Sequence, residues 1–504
     1  MLWRVDPRPV PLEQTIALAP GASDVAYGAG AVWVANRTTG TVSRIDPQTN
    51  RVTDTVAVGN TPGRVSTGEN SVWVAVAGTN GVSVPAASQS PRSNDALPAT
   101  TCGPVLSGSD PHPQRLIVSD FPMRAGPLIP TVQMNAAITY VLREHDFRAG
   151  RWRLGYQACD DSTAQTGVPD DRKCAANAKT WIDHPLVIGV IGPYSSACAA
   201  TEIPAINTSG PLAIISPTNS FVGLTHDDPL GPPGLTRKLY PTGVRNYARI
   251  YPADDLEAAA LAEFARRRNL SSVYVLHLRD DSYGQETAYY FRTAAHRLGL
   301  HLAGSGTWTE PKVDYNAIAA RVAASGAIAL YLGTAGVSRD TGALIRTLRQ
   351  RLRSTFPIMT NETAIPTAVL FQFTGAAARG IYIATALAPQ APLGPAARQF
   401  ITHFAATQSG ASINLAALYA AQAAEIMLGA IAHSDASRGS VTRSLLATCT
   451  RSGILGSFCF NANGDPTIAP ITILQAARPG NLEQLDTTGT HVAGVIAARE
   501  SWTR

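Results

Sequence analysis

Lysine is nearly missing from this chain of 504 residues. Of its 41 Lys and Arg, only Lys173, Lys179, Lys238 and Lys312 are lysine. The arginines are scattered, no basic run of five or more occurs, and the formal net charge of +5 is small for the length, which does not point to nucleic acid. With alanine abundant, the Arg bias reads as the mark of a GC-rich coding sequence rather than of guanidinium chemistry. Long hydrophobic runs are lacking as well. The best candidate, 414–432, carries Gln422 and Glu425 without flanking Lys or Arg and reads as a buried Ala-rich helix rather than a membrane span. The opening Met1-Leu2-Trp3-Arg4-Val5-Asp6-Pro7 is not a charged segment followed by an apolar one, so no signal peptide is read there. His-Glu-x-x-His, Gly-x-Ser-x-Gly, a P-loop and a Gly-x-Gly-x-x-Gly after a strand are all missing, and the ten histidines are dispersed. The chain is therefore expected not to be an enzyme and to use neither metal nor cofactor. Cysteine is scarce. Six residues, irregularly spaced and without Cys-x-x-Cys, lean toward disulfides and an oxidising compartment.

What is present begins with a repeat. Val5-Asp6-Pro7 returns as Ile45-Asp46-Pro47, and Val32-Trp33-Val34-Ala35 returns as Val72-Trp73-Val74-Ala75, each forty positions on. Short alternating strands at that period are a propeller-blade pattern. Residues 1–80 resemble about two blades of the YVTN/NHL-like β-propellers, with Trp33 and Trp73 expected as core aromatics. From 81 to 113 the alternation stops and Ser, Pro and Ala dominate, as in a linker.

From Gln114 the pattern is strand, helix, strand, helix. Fully apolar strands such as Leu186–Ile191 and Leu212–Ile215 alternate with amphipathic helices, which means parallel sheets covered on both faces. An irregular stretch containing Asp227, Asp228, Pro232 and Pro233 divides two such runs. The fold class is therefore α/β with two lobes. Lobe 1 covers about 114–248 plus C-terminal return segments, lobe 2 about 249–385, the domain 114–480, and a tail 481–504. Ligands of such sheets bind beyond the carboxyl ends of the strands, so two facing lobes make one cleft. Two turns lie at such ends: Pro193-Tyr194-Ser195-Ser196 and Ser216-Pro217-Thr218-Asn219-Ser220. Hydroxyls and free N–H groups near a helix N-terminus hold small anions; plain helix capping accounts for the same residue types. The acid pairs Asp160-Asp161 and Asp280-Asp281 read as loop or cap residues.

The run Val190-Ile191-Gly192-Pro193-Tyr194-Ser195-Ser196, followed by Ile215-Ser216-Pro217-Thr218-Asn219-Ser220 and Gly223-Leu224-Thr225, resembles the leucine/isoleucine/valine-binding family of type I periplasmic binding proteins. Tyr251-Pro252-Ala253-Asp254-Asp255, Asp281-Ser282-Tyr283-Gly284-Gln285, Tyr419-Ala420-Ala421 and Phe460 to Pro466 follow in family order. The resemblance spans about Gln114 to Gln475. It implies that Ser196 and Ser220, with Ser195, Asn219 and the Thr218 backbone, bind a ligand's α-carboxylate and α-amino groups. Tyr283 would close over the ligand, and Glu362 would take the ammonium. The family's second cleft tyrosine is replaced here around Thr334-Ala335-Gly336, and the loop Ser119–Met123 is not the usual Gly-rich form. In this context Cys449 and Cys459 are expected to pair. Cys159 is expected to pair with Cys174 or Cys198, and Cys102 with the one left over. The implied function is extracytoplasmic capture of an amino acid or similar metabolite by hinge closure and delivery to an ABC permease. The alternative is a ligand-sensing ectodomain of a larger signalling protein.

Overall fold

The computed structural model describes residues 2–5, 13–16, 21–77 apart from 29, 48, 59–60 and 69–70, then 97, 102–123, 131–163, 168–311, 314–386, 393–408, 413–478 and 481–487. The chain divides into two compact units, Met1–Ser93 and Asn94–Arg504.

The first unit is a small all-β segment. Ala22–Gly28, Ala31–Asn36, Thr41–Asp46 and Arg51–Ala57 form a four-stranded antiparallel meander, and Thr61–Gly68 pairs with Ser71–Ala77. The repeated tryptophans occupy different surroundings. Trp33 is half-buried, donates its indole N–H to the Gly28 carbonyl at 3.1 Å, and has Arg44 of the next strand over its ring. Trp73 is 64% exposed, so the expectation of a core aromatic fails there. Ala31–Asn36 has a strand on each side, whereas Ser71–Ala77 has one neighbour among the described residues.

The second unit carries two α/β lobes. In the first lobe the sheet runs Arg148–Ala149, Trp152–Asp160, Arg115–Phe121, Val187–Ile191, Ala213–Ser216, Tyr247–Arg249, parallel from the second strand onward. Successive residues of a strand face opposite sides. Ile117 thus joins the core under helices Thr131–Glu144 and Ala416–Ala432, while Leu116 and Val118 join the core under Asp171–Asp183 and Ser196–Thr208. Helix Ala416–Ala432 is the apolar 414–432 segment, buried on nearly every side. In the second lobe the parallel order is His301–Trp308, Ser272–Leu278, Ala329–Gly333, Ile358–Thr360, Ile381–Thr385, closed by the antiparallel strands Thr472–Arg478 and Asn481–Thr487. Helices Asp254–Arg267 and Ser282–Arg297 cover one face; Tyr315–Ala324, Arg339–Arg351 and Thr367–Thr374 cover the other. In both sheets the chain reverses direction beside its first strand, so both topological switch points lie at carboxyl ends. Among the described residues, no helix is long and apolar enough to cross a membrane.

Two boundaries differ from the sequence reading. Residues 102–113 are not a free spacer. Cys102 is buried and disulfide-bonded to Cys159, and Leu106–Ser107 pairs antiparallel with Gly155–Tyr156. The expected tail begins with Asn481–Thr487, an edge strand of the second lobe; residues 488–504 lie outside the described residues. All six cysteines pair. Cys449–Cys459 is the expected bridge, but Cys159 bonds to Cys102, leaving Cys174 to Cys198 between helices Asp171–Asp183 and Ser196–Thr208.

Candidate ligand cavity between the lobes

At the end of strand Val187–Ile191 the chain passes Asp120 so closely that a Cβ on Gly192 would meet its carbonyl oxygen at 2.9 Å. Gly192, at φ +147°, is what permits the turn. Ser195 then caps helix Ser196–Thr208, its Oγ accepting the Ala197 N–H at 3.2 Å. Ser196 Oγ accepts the Phe221 N–H at 3.3 Å, bracing this turn against the next. Both hydroxyls serve here as acceptors, so each keeps a proton to donate.

The second turn divides into structural and available groups. Ser216 Oγ accepts the N–H groups of Thr218 and Asn219 at 3.2 and 3.0 Å. Thr218 Oγ1 donates to the Tyr194 carbonyl at 2.9 Å. Asn219 is fully buried, its amide donating to the carbonyls of Pro193 and Tyr194 and its Oδ1 accepting the Tyr247 hydroxyl. The Thr218 hydroxyl and Asn219 therefore hold the two turns together, while the Thr218 backbone N–H bonds within its own turn. The residue that reaches the cavity is Ser220, whose carbonyl also accepts the Asp254 N–H at 3.0 Å.

Across from these turns stands the second lobe. Asp281 caps helix Ser282–Arg297 through the Tyr283 N–H at 3.1 Å, as the cap reading of the Asp280-Asp281 pair required. Gly284 lets that helix end touch the strand end at Gly333; a Cβ would meet the Gly333 carbonyl oxygen at 2.6 Å. Tyr283 is thereby set at the cavity wall. Ser195, Ser196 and Ser220 of the first lobe and Tyr283 of the second line one cavity of about 630 Å³.

Glu362 is placed elsewhere. It does not line this cavity; its carboxylate accepts the Tyr251 hydroxyl, and its N–H donates to Glu257 Oε1 at 2.9 Å. Burial raises its pKa to about 7, with the Thr385 hydroxyl acting in the opposite direction. The carboxylates that do line the cavity are Asp228, Asp254 and Glu286, and among the described residues no Lys, Arg or His joins them. Burial raises Asp254 to about 7 and, with Asp254 beside it, Glu286 to about 10. Asp254 was legible only as part of the crossover motif and Glu286 not at all. Their signal was nearness in sequence to that motif and to Tyr283-Gly284.

Behind the cavity the crossover at Arg249 is locked by buried charge. Arg249 Nε donates to Asp465 Oδ1 at 2.7 Å, and His226 Nε2 lies 2.5 Å from Asp465 Oδ2. This joins the first crossover to the Phe460–Pro466 turn. A second buried acid group sits in the first lobe. Burial lifts Asp120 to about 6 and Asp161 to about 8, and Glu202 well above the carboxylate range. Asp161 lies outside helix and strand, as the loop reading of its pair with Asp160 expected, but it is fully buried.

A model of the periplasmic binding protein family matches residues 167–481. The chain belongs to this family. As a periplasmic binding protein it is one of a family of extracytoplasmic solute-binding proteins. It is 26% identical over 233 residues to an amino acid binding protein of Pseudomonas aeruginosa, a stretch covering 42% of this chain and 57% of that protein. The chain thus spans a little over half the length of that curated relative. In fold it is similar to a leucine binding protein from Thermotoga maritima, with TM-score 0.59 and 19% identity over 74% of this chain and 98% of the other. A solute binding protein of R. palustris solved with benzoate has TM-score 0.56 and 14% identity, covering 74% of this chain and 96% of that one. At these identities the structures attest the shared two-lobed fold.

Proposed function

We propose that this periplasmic binding protein is a non-catalytic receptor for an amino acid or similar small metabolite, which it captures by closing its lobes and delivers to an ABC permease. The observation that carries the reading is the convergence of Ser195, Ser196 and Ser220 from the first lobe with Tyr283 from the second on one cavity. Cavities of this size between domains are where small ligands bind. Closure expels water and strengthens each polar contact, and hinge closure around a ligand is a common motion of two-lobed proteins. The amino acid binding relative and the leucine binding neighbour support the ligand class. The three disulfides support an extracytoplasmic setting. Glu362, implied by the family pattern as the ammonium partner, lies outside this cavity and is held by Tyr251.

The test is to identify the small molecule released from denatured purified protein by mass spectrometry, then titrate it calorimetrically into the native chain and into Ser196→Ala and Ser220→Ala. Weakened binding in both is expected; binding equal to the parent's in both contradicts the site. A second reading, a ligand-sensing ectodomain, is favoured by one observation, the additional all-β unit Met1–Ser93. Co-purification with a permease separates the two.

A further inference from the structure

A group of acids apart from the cavity lies inside the first lobe. Asp120 stands near the end of strand Arg115–Phe121, Asp161 follows strand Trp152–Asp160, and Glu202 sits one turn after Cys198 on helix Ser196–Thr208. All three are fully buried. The bridge Cys174–Cys198 fixes that helix to Asp171–Asp183, and its Cys174 sulfur is the common neighbour of the acids. An oxygen of Asp120, one of Glu202 and Cys174 Sγ lie within 4.8 Å of one another, and so do an oxygen of Asp161 and the two sulfurs. Polar partners are few. Asn177 Nδ2 donates to Asp120 Oδ1 at 2.8 Å. Asp120 Oδ2 and both oxygens of Asp161 and of Glu202 receive no hydrogen bond from another residue's donor. Asp120 and Glu202 can share a proton between them, but Asp161 has only its own backbone N–H beside it. The nearby cation, Lys173, is engaged outside the group. Its Nζ donates to the Ser162 carbonyl at 3.3 Å and lies 3.9 Å from Asp160 Oδ2. Buried carboxylates left so are costly, and in folded proteins they are paired or coordinate metals.

We propose that Asp120, Asp161 and Glu202 form a binding site for one hard divalent cation, Ca2+ or Mn2+, inside the first lobe. The spacing suits such an ion: oxygens held at about 2.3–2.6 Å from Ca2+ stand up to about 5 Å apart. The donor set selects it. Carboxylate oxygens favour Ca2+ and Mn2+, whereas the two sulfurs, being joined, offer no thiolate to Zn2+. Mg2+ usually keeps several waters and is poorly served by a group buried from solvent. The acids lie far apart in sequence, so no short metal motif announces them. Their position gives the ion a consequence. The Asp120 carbonyl accepts the Tyr194 N–H at 3.1 Å, so the ion backs the turn that carries Ser195 and Ser196. None of the three acids lines the solute cavity, and failure of this proposal leaves the solute-binding reading standing.

The experiment uses the full native chain with its disulfides intact. Elemental analysis counts the Ca2+ and Mn2+ that survive dialysis against EDTA. CaCl2 or MnCl2 is then titrated in by calorimetry and thermal shift, with KCl at equal ionic strength as the control. One cation per chain, retained or taken up, is expected, with a rise in unfolding temperature that K+ does not give. Asp161→Asn and Glu202→Gln should each lower its affinity by about tenfold to hundredfold, as loss of a charged partner does. Binding that both variants keep at the parent's affinity puts the ion elsewhere and overturns the proposal. Neither ion retained, nor taken up at millimolar concentration, overturns it too and leaves the three acids as buried neutral carboxyl groups. Should the variants misfold, water-proton relaxation of the Mn2+-loaded native chain decides. An ion enclosed by the lobe carries no exchanging water and enhances relaxation little; strong enhancement marks a surface ion and overturns the proposal.

Discussion

Ser196 and Ser220 are small polar residues at strand ends, so truncation to alanine leaves little void. Neither is a helix Ncap, the position held by Ser195, so stability should fall by at most about 1 kcal/mol, the typical cost of a lost cap. Binding should suffer more. A hydrogen bond to a charged ligand group in a dry cleft contributes about 1.5–3 kcal/mol, which corresponds to a loss of about tenfold to hundredfold per residue. Calorimetry set beside chemical denaturation of the same two variants checks this split, and equal losses in both would contradict it. At this scale the sequence was partly legible. The hydroxyl-rich turns were visible because cap-forming residues follow apolar strands. Which groups face the cavity was not, because Thr218 carries the same hydroxyl as Ser220 and Asn219 is as good a cap former, and they differ in what surrounds them. The acids were misjudged for a related reason. Nothing in a string of letters separates an exposed Asp from Asp254 or Asp161, whose character comes from burial.

Among the elements, helix Ser282–Arg297 positions the second-lobe side of the site, and its start depends on Gly284. An added methyl group at that position meets the Gly333 carbonyl oxygen at 2.6 Å, a backbone atom that cannot swing away. Gly284→Ala is expected to cost about 1–3 kcal/mol, the range for forced overpacking, and to weaken ligand binding by moving Tyr283. Denaturant titration and calorimetry on this variant check both; a parent-like result in both shows that the contact does not set the helix. The helices themselves were readable from their apolar periodicity. Strand His301–Trp308 was not, because His-Leu-Ala-Gly-Ser-Gly-Thr-Trp is weakly apolar and sits at a sheet edge. Tyr247–Arg249 escaped notice because only three residues pair. The strand Asn481–Thr487, at a sheet edge, reads as a tail because its sequence is polar.

For the molecule as a whole, the buried acids predict an unusual pH dependence. Asp120, Asp161, Asp254 and Glu362 have native pKa values raised to about 6, 8, 7 and 7, each chiefly by burial. In the unfolded chain such groups titrate near 4. The native state therefore binds more protons than the unfolded state between those limits. The stability associated with these groups is fully present below about pH 4 and is lost as pH rises through each native pKa. Asp146 and Asp435, lowered by their bonds to Ser109 and Ser437, act oppositely, but only below the ordinary carboxylate range. Thermal unfolding of the ligand-free protein should accordingly occur at a higher temperature at pH 5 than at pH 8; a midpoint that is flat or rises with pH contradicts the burial of these groups.

The claim on which the rest depends is that a small solute occupies the cavity between the two lobes. Ligand-induced thermal stabilisation, measured side by side on the native chain and on Ser220→Trp, tests it most directly, because an indole at that wall fills the space while the lobes remain folded. At a hundredfold excess over the dissociation constant a bound solute adds about 2.7 kcal/mol to stability. The account predicts a clear rise in the native chain's unfolding temperature with its solute and none in Ser220→Trp. Equal stabilisation of both proteins would place the solute elsewhere and contradict the account.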